Sequence, residues 1–490
     1  MPLKRSILIA AVSLLGCGHR PALPAPTLPL VTTPDAPFRA HRPEVNRAAA
    51  ARSLQLPTVA SARLSNGFVI WAVTQRQLPY VALSYVAADA GTAYAGSRPE
   101  LVQFMVRSLV EGGTFWIDGR AADRLEVNGE AISFAVSPSH SVLSLDTPPA
   151  GIDSAVTVLG RTVRYPFWAN GALDPVRLNE LTAMRENADS VSHLLLGLTA
   201  SAALGEDVAL SLLPMRMTEI RKATIADVQA CHAQVMRPAS GALIAVGDVT
   251  LAELTESAER AFGTWQPQAS APVMRGDVRH SLSDGRRLHL LRGGGDQQAD
   301  VLIAQPAPNT AQLADELPFA VLTNVVAAPL HSRSERQLRH DAGLTYGVRP
   351  QLLRTRNWGI FSMEAAFESS ETRAAIMALL ATIEAVRKQP VSAAELEQAK
   401  QDFAVDLARR TAGNRALADY LGQLFAEGKN ADWLQRIPEQ LAALSAPDLQ
   451  RVARLYLSDI DVEVGVTGDL ELARELSFIG HLETYQADAQ

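Results

Sequence analysis

The sequence predicts an α+β protein of two homologous domains, each an antiparallel-rich sheet with helices on one side. Three observations carry this. A turn feeding a strand is written twice, as Arg63-Leu-Ser-Asn-Gly67 before Phe-Val-Ile-Trp-Ala-Val and as Ser281-Leu-Ser-Asp-Gly285 before Arg-Arg-Leu-His-Leu-Leu. A glycine-bearing apolar strand running into a helix is also written twice, over Gly241 to Asp248 and Asp461 to Asp469. Both pairs stand about 220 residues apart, too long a period for a solenoid and right for two domains. Between these landmarks amphipathic helices alternate with short apolar strands, a mixture best buried as a sheet faced by helices.

In chain order, Lys4-Arg5 and the short apolar run that follows read as a targeting segment over residues 1–17, too short to span a bilayer stably. Leu14-Leu15-Gly16-Cys17 resembles a bacterial lipobox, so Cys17 is expected to be lipidated and to anchor the chain in the cell envelope. Gly18 in place of Asp favours, by resemblance to bacterial sorting rules, the outer membrane facing the periplasm. Residues 18–56 are rich in Pro and Ala and read as an extended tether. The expected domains are 57–268 and 281–490, with 269–280 as a Pro/Ala linker after Trp265.

Helices are expected over Pro99–Glu111, Gly119–Asn128, Ile152–Val163, Asp174–Asp189, Ser192–Leu204 and Ile225–Val235 in the first domain. The second repeats the scheme over Ala311–Val326, Glu371–Lys388, Ala393–Arg410, Ala412–Ala426 and Ala446–Tyr456, and strands such as Val81–Ala87 and Ala131–Val136 lie between helices.

With 45 Lys and Arg against 52 Asp and Glu, a net charge of −7 and no long basic run, nucleic acid is not an expected partner. The chain has 2 cysteines, so with Cys17 lipidated no internal disulfide can form. Cys231 and His232 are neighbours on a helix and point about 100° apart, which argues for a core cysteine and a surface or capping histidine. Gly293-Gly294-Gly295 lacks the form of a phosphate cradle and reads as a flexible hairpin.

The stretch Leu330 to Val348 is the most informative. Arg333, Arg336 and Arg339 recur at a helical spacing, Gly343 stands where a left-handed helix end is wanted, and Leu344, Tyr346 and Val348 alternate as a strand does. Arg339 and Tyr346 then flank one tight corner, from which both can aim donors at a carbonyl oxygen. Cations at helix ends and Tyr in strands are also favoured for stability alone.

Ser332-Arg333, Leu338-Arg339, Gly343-Leu344, Tyr346 and Val348, followed by Trp358-Gly359-Ile360-Phe361, resemble the C-terminal half of the insulinase/pitrilysin family of zinc peptidases and their processing-peptidase relatives. The resemblance covers about residues 57 to 475. It implies two domains closing like a clamshell on an extended peptide, with Arg339 and Tyr346 lent by the second domain to a peptide site built mainly by the first.

Active members of that family carry H-x-x-E-H on a helix of the first domain, with a carboxylate ligand downstream. Counting back from Glu111-Gly-Gly-Thr114, the first His position is Phe104, the base position Arg107 and the second His position Ser108, while the downstream position falls at Ser201. None of these can bind zinc, and Arg107 would repel it. Ala327-Ala328-Pro329-Leu330 stands where many relatives have a Gly-rich loop.

The resemblance therefore implies a non-catalytic subunit with no cofactor of its own, pairing with a zinc-bearing homologue and contributing Arg339 and Tyr346 to hydrolysis of an extended peptide. The alternative is a structural or peptide-binding envelope lipoprotein with no part in proteolysis.

Overall fold

The computed structural model describes residues 56–94, 98–112, 115–116, 119–120, 131–188, 191–205, 212, 217–266, 285–292, 297–328 and 331–486. All of these residues fall in one compact unit, Ala51–Gln490. The targeting segment, Cys17, nearly all of the tether, the linker 269–280 and Gly293–Gly295 lie outside the described residues.

In the first half, β1 (Ala60–Arg63), β2 (Val69–Thr74) and β3 (Val81–Ala87) are followed by α1 (Glu100–Glu111) and a two-stranded ribbon, β4 (Phe115–Trp116) and β5 (Gly119–Arg120). Next come β6 (Ser133–Val136), β7 (Ser141–Thr147), α2 (Ile152–Arg164), α3 (Leu173–Ala188), α4 (Val191–Leu204), α5 (Met217–Lys222), α6 (Ile225–Val235), β8 (Gly241–Gly247) and α7 (Leu251–Phe262). The sheet order is β1-β2-β8-β3-β7-β6.

The second half runs β9 (Arg287–Arg292), β10 (Gln298–Pro306), α8 (Leu313–Ala327), a π-type turn at Glu335–Asp341, β11 (Arg349–Arg354), β12 (Gly359–Glu368), α9 (Thr372–Lys388) and α10 (Ala393–Arg410). It ends with α11 (Asn414–Ala426), α12 (Trp433–Ala443), α13 (Ala446–Tyr456), β13 (Glu463–Gly468), α14 (Leu470–Leu476) and β14 (His481–Gln486), giving a sheet ordered β11-β12-β10-β13-β9-β14.

The duplication holds strand for strand over five positions. β2 and β8 pair in parallel as β9 and β13 do, and β3 and β10 run antiparallel to those central strands. The sixth strand differs: β1 folds back antiparallel on β2, whereas β14 adds in parallel to β9. Both entry turns use glycine in the left-handed region, Gly67 at φ 89° and Gly285 at φ 108°.

Helix starts obey local chemistry, with capping boxes at Thr224/Asp227, Thr250/Glu253, Ser392/Glu395 and Ser445/Asp448. Each sheet carries a helix layer from its own half on one face, burying Ile70, Leu83 and Tyr85 in the first and Val301, Ile303 and Met363 in the second. β3 and β8 are nonetheless buried along their whole length. The other face of the first sheet, through Trp71, Val86 and Ile244, packs on Leu417, Leu421 and Leu424 of α11. The other face of the second, through Leu302, Ala304 and Ile360, packs on Leu195, Leu196 and Ala200 of α4. Each half thus covers the other's sheet with one helix, a feature the sequence pattern did not show.

Two expected elements differ. Gly119 and Arg120 pair with Trp116 and Phe115 as β5, not as the start of a helix, and residues 121–128 lie outside the described set. Residues 344–348 form an irregular loop and the strand begins at Arg349, because the hydrogen bonds of this segment go to the preceding turn. Among the described residues no helix is long and apolar enough to cross a membrane.

Candidate functional site

The polar centre of the first half lies between α1 and α3. Gln103 and Arg107 stand one turn apart on α1 and so share a face. Gln103 Nε2 donates to Glu180 Oε1 at 2.9 Å, and Arg107 Nε lies 2.5 Å from Glu180 Oε2. The Arg107 Nη1 donates to Glu111 Oε1 at 2.8 Å, Asn179 Nδ2 donates to Glu111 Oε2 at 3.0 Å, and the guanidinium sits 5.2 Å from the Phe134 ring centre. Glu180 is wholly buried, and burial raises its carboxyl above the ordinary range while Arg107 and Gln103 oppose the shift.

Of the positions expected for a vestigial zinc motif, only Arg107 belongs to this cluster. Phe104 is fully buried in the core, under the Arg177 guanidinium. Ser108 is buried too, its hydroxyl donating to Met105 O at 2.6 Å and accepting from Trp168 Nε1 at 3.0 Å. Ser201 is on α4, the helix whose apolar residues pack on the second sheet.

The two side chains one turn apart that meet a carboxylate are Gln103 and Arg107, with Glu180 as that carboxylate and Val106 fully buried between them in sequence. Glu180 had no motif of its own in the sequence.

The donor set does not fit zinc. A Gln amide and a guanidinium replace two imidazoles, and the one remaining carboxylate is engaged by Arg107, whose fixed charge stands where a cation would be needed. Among the described residues no group of three or more His, Cys, Asp or Glu is placed to hold a metal ion.

The second candidate is the 333–348 segment. The expected Arg stripe splits: Arg333 is held in a paired contact with Glu395, at 2.8 and 3.1 Å, and pulls that carboxyl down to about 2, whereas Arg336 and Arg339 are exposed. The helix that carries Arg339 closes as a π-type turn, with Leu344 N donating to Leu338 O at 2.8 Å and Gly343 at φ 66°, as expected for a left-handed end.

Buried Glu335 ties this turn to the loop beyond it. Its Oε1 accepts from Val348 N at 2.8 Å and its Oε2 lies 3.5 Å from Arg339 Nη1. A Cβ on Gly347 would come 2.9 Å from Glu335 Oε1 and would press on that carboxylate. Tyr346 is 97% exposed, on the rim of a cavity formed with Leu344, Phe367 and Glu368 of the same half. The structure therefore joins Arg339 and the Tyr346 loop through one carboxylate, and joins neither to the Gln103 cluster.

Cys231 is a core residue whose thiol burial pushes up to about 12. His232 is not at the surface: its Nε2 bonds Val163 O at 2.7 Å, capping the end of α2 rather than its own helix.

Two homologous α+β halves make up the body, and the polar cluster of the first is built from an amide and an ion pair on one carboxylate. Residues 222–403 match the family model described as the peptidase M16 inactive domain. The chain is also similar to the crystal structure of a peptidase M16 inactive domain from Pseudomonas fluorescens, with 17% identity, a TM-score of 0.72 and coverage of 84% of this chain and 98% of that one. A protease from Helicobacter pylori gives 15%, 0.73, 84% and 100%, and a putative M16-like peptidase from Alicyclobacillus acidocaldarius gives 13%, 0.69, 85% and 99%. A comparison with curated proteins found no match. In fold the chain is thus similar to M16-type peptidases, and over residues 222–403 it matches their inactive domain.

Proposed function

We propose that this chain is the non-catalytic partner of a zinc-bearing homologue and lends it Arg339 and Tyr346 for hydrolysis of extended peptides. The observation that carries this reading is the pairing of an almost fully exposed Tyr346 with a rigid support, the Glu335 to Val348 hydrogen bond that fixes the loop bearing it. An aromatic side chain left in water on a fixed loop is positioned for a partner rather than for this chain's own core. Zinc hydrolysis builds negative charge on the scissile carbonyl oxygen, and one donor aimed at it is commonly worth two to three decades in rate. In this reading Cys17 anchors the chain, through its lipids, to the outer membrane on the periplasmic side.

A second reading, a structural or peptide-binding lipoprotein, is favoured by the Arg339 to Glu335 ion pair, which gives Arg339 a structural role. Reconstitution separates the two. The zinc-bearing homologue is mixed with wild type, Arg339→Ala or Tyr346→Phe, binding is verified, and turnover of an unstructured peptide is measured. Variants that bind but activate about 100-fold less support the first reading; variants that activate like wild type leave only the second.

A further inference from the structure

β12 outruns the strand beside it. β10 pairs with it from Ile360 to Glu368, but β11 pairs only from Gly359 to Glu364, so residues 365–368 have a strand on one side alone.

The register shows which backbone groups face the open side. Pro306 has no N–H, so its pair with Ile360 is not a hydrogen-bonded one, and alternation then gives Phe361, Met363, Ala365 and Phe367 to β10. Asp300, opposite Ala366, agrees: its N–H donates to Thr467 Oγ1 at 2.7 Å, away from β12. Ala366 and Glu368 therefore turn their N–H and C=O groups to the side where β11 has ended. They are also the reachable pair, Ala366 half-buried and Glu368 exposed, whereas Ala365 and Phe367 are buried. Among the described residues nothing outside the sheet accepts from either N–H, and Glu368 O alone has a donor, Thr372 Oγ1 at 3.2 Å.

Both residues line a cavity of about 700 Å³, with Gln297, Gln298, Ser370 and Tyr346 around it. No hydrogen bond joins 365–368 to the 343–348 loop that bears Tyr346. Open donors and acceptors two residues apart on a strand edge are what an extended polypeptide pairs with. We propose that an extended peptide adds here as a short strand, bonding the Ala366 and Glu368 backbone and passing Tyr346. The inference rests on the preceding reading of Tyr346 only in taking that peptide to be the substrate.

The full chain is titrated with a capped Lys-Thr-Val-Thr-Val-Thr-Lys peptide and with the same peptide N-methylated throughout, which keeps the side chains and removes the backbone donors. Saturable binding of the first is expected, about tenfold or more weaker for the second and in Ala366→Pro. Proline is tolerated at an outward position of a strand edge, as Pro350 is in β11. Should Ala366→Pro fail to melt cooperatively, Ser370→Trp, which fills the cavity from an exposed position, decides instead. Bound peptide should slow amide exchange about tenfold or more at Ala366 and Glu368 and leave Ala365 and Phe367 unchanged. No saturable binding at millimolar concentration, equal binding of the methylated peptide, or unchanged exchange at Ala366 overturns the proposal. Activation of the zinc-bearing homologue is scored separately. Peptide bound at Ala366 with full activation by Tyr346→Phe keeps this site and rejects the catalytic role of Tyr346, and activation lost in Tyr346→Phe with no peptide bound does the reverse.

Discussion

The two sheets face the same problem, a second apolar face with no helices of its own half to cover it, and solve it with reversed parts. On the first sheet the small residue is in the helix: Gly422 of α11 lets that helix approach Val86 and Ile244, and an added Cβ would meet Val86 Cγ2 at 3.1 Å. On the second the small residue is in the strand: a Cβ on Gly465 of β13 would meet Leu195 and Thr199 of α4 at 3.1 Å each. The polar locks are reversed too. Arg415 reaches from helix to sheet, donating to Leu83 O at 3.0 Å, Leu145 O at 3.2 Å and Ser84 Oγ at 2.8 Å. Arg287 reaches from sheet to helix, donating to Ala202 O at 3.0 Å. The difference teaches that each of these helix-to-sheet approaches combines a glycine with an Arg bridge, and that neither side is obliged to supply a particular part.

The largest effect is expected where the contact is tightest. Gly465→Leu forces three further carbons between β13 and two side chains of α4, and should cost about 3 kcal/mol in urea unfolding. Its loss should register first in the second half, as faster amide exchange in β13 and α4. A change within 0.5 kcal/mol, on the scale of an ordinary surface substitution, would show that α4 can step away from the sheet.

The halves should also part company in acid. His140, within hydrogen-bond distance of Ser137 and Ser139, is held down to about 4 by burial, and His232 is lowered for the same reason. Below the ordinary 6.5 the unfolded chain takes up a proton at His140 that the folded chain refuses until about 4, so stability falls as pH drops from 6.5 to 4 and this contribution then levels off. The second half holds the opposite case in Glu395, whose Arg333 partner keeps it ionised. That contribution is present above the ordinary 4.5 and is lost as pH falls through about 2. Trp168 has its ring centre 6.0 Å from that of His232, so the fluorescence difference between wild type and Trp168→Phe reports on the first half. Its midpoint should move between pH 6.5 and 4, and a flat profile there would reject the assignment.

The smallest effect belongs to Gly422→Ala. Helix propensity favours Ala over Gly by about 1 kcal/mol, while the one close contact, to Val86, offsets it, so the net change should stay within about 0.5 kcal/mol. A cost above 2 kcal/mol would mean that α11 is held as tightly as α4 and the two interfaces are alike after all.

Much of this fold was legible before any coordinates. Helices with capping boxes begin where Thr224 and Ser392 place them, and α6, α10 and α13 have the expected bounds, because those signals are local. The repeated turns and the paired central strands were legible for the same reason. The 344–348 loop was misread because alternation alone cannot report that Glu335, thirteen positions earlier, claims the Val348 amide. The candidate site was half legible. Arg107 stood out as a cation on α1, whereas Gln103 and Glu180 belong to no motif and join it only when α1 and α3 pack together.

The sequence by itself determined the duplicated plan, the helix boundaries set by capping and the absence of the H-x-x-E-H motif, since each is a matter of neighbours along the chain. Only the tertiary structure decided that the sheets exchange helices α4 and α11, that Arg107 neutralises Glu180, and that Tyr346 stands in solvent on a loop tied down by a buried carboxylate. Each of these joins residues distant in the chain, and a pairing between faces or charges has no periodicity for a sequence to display.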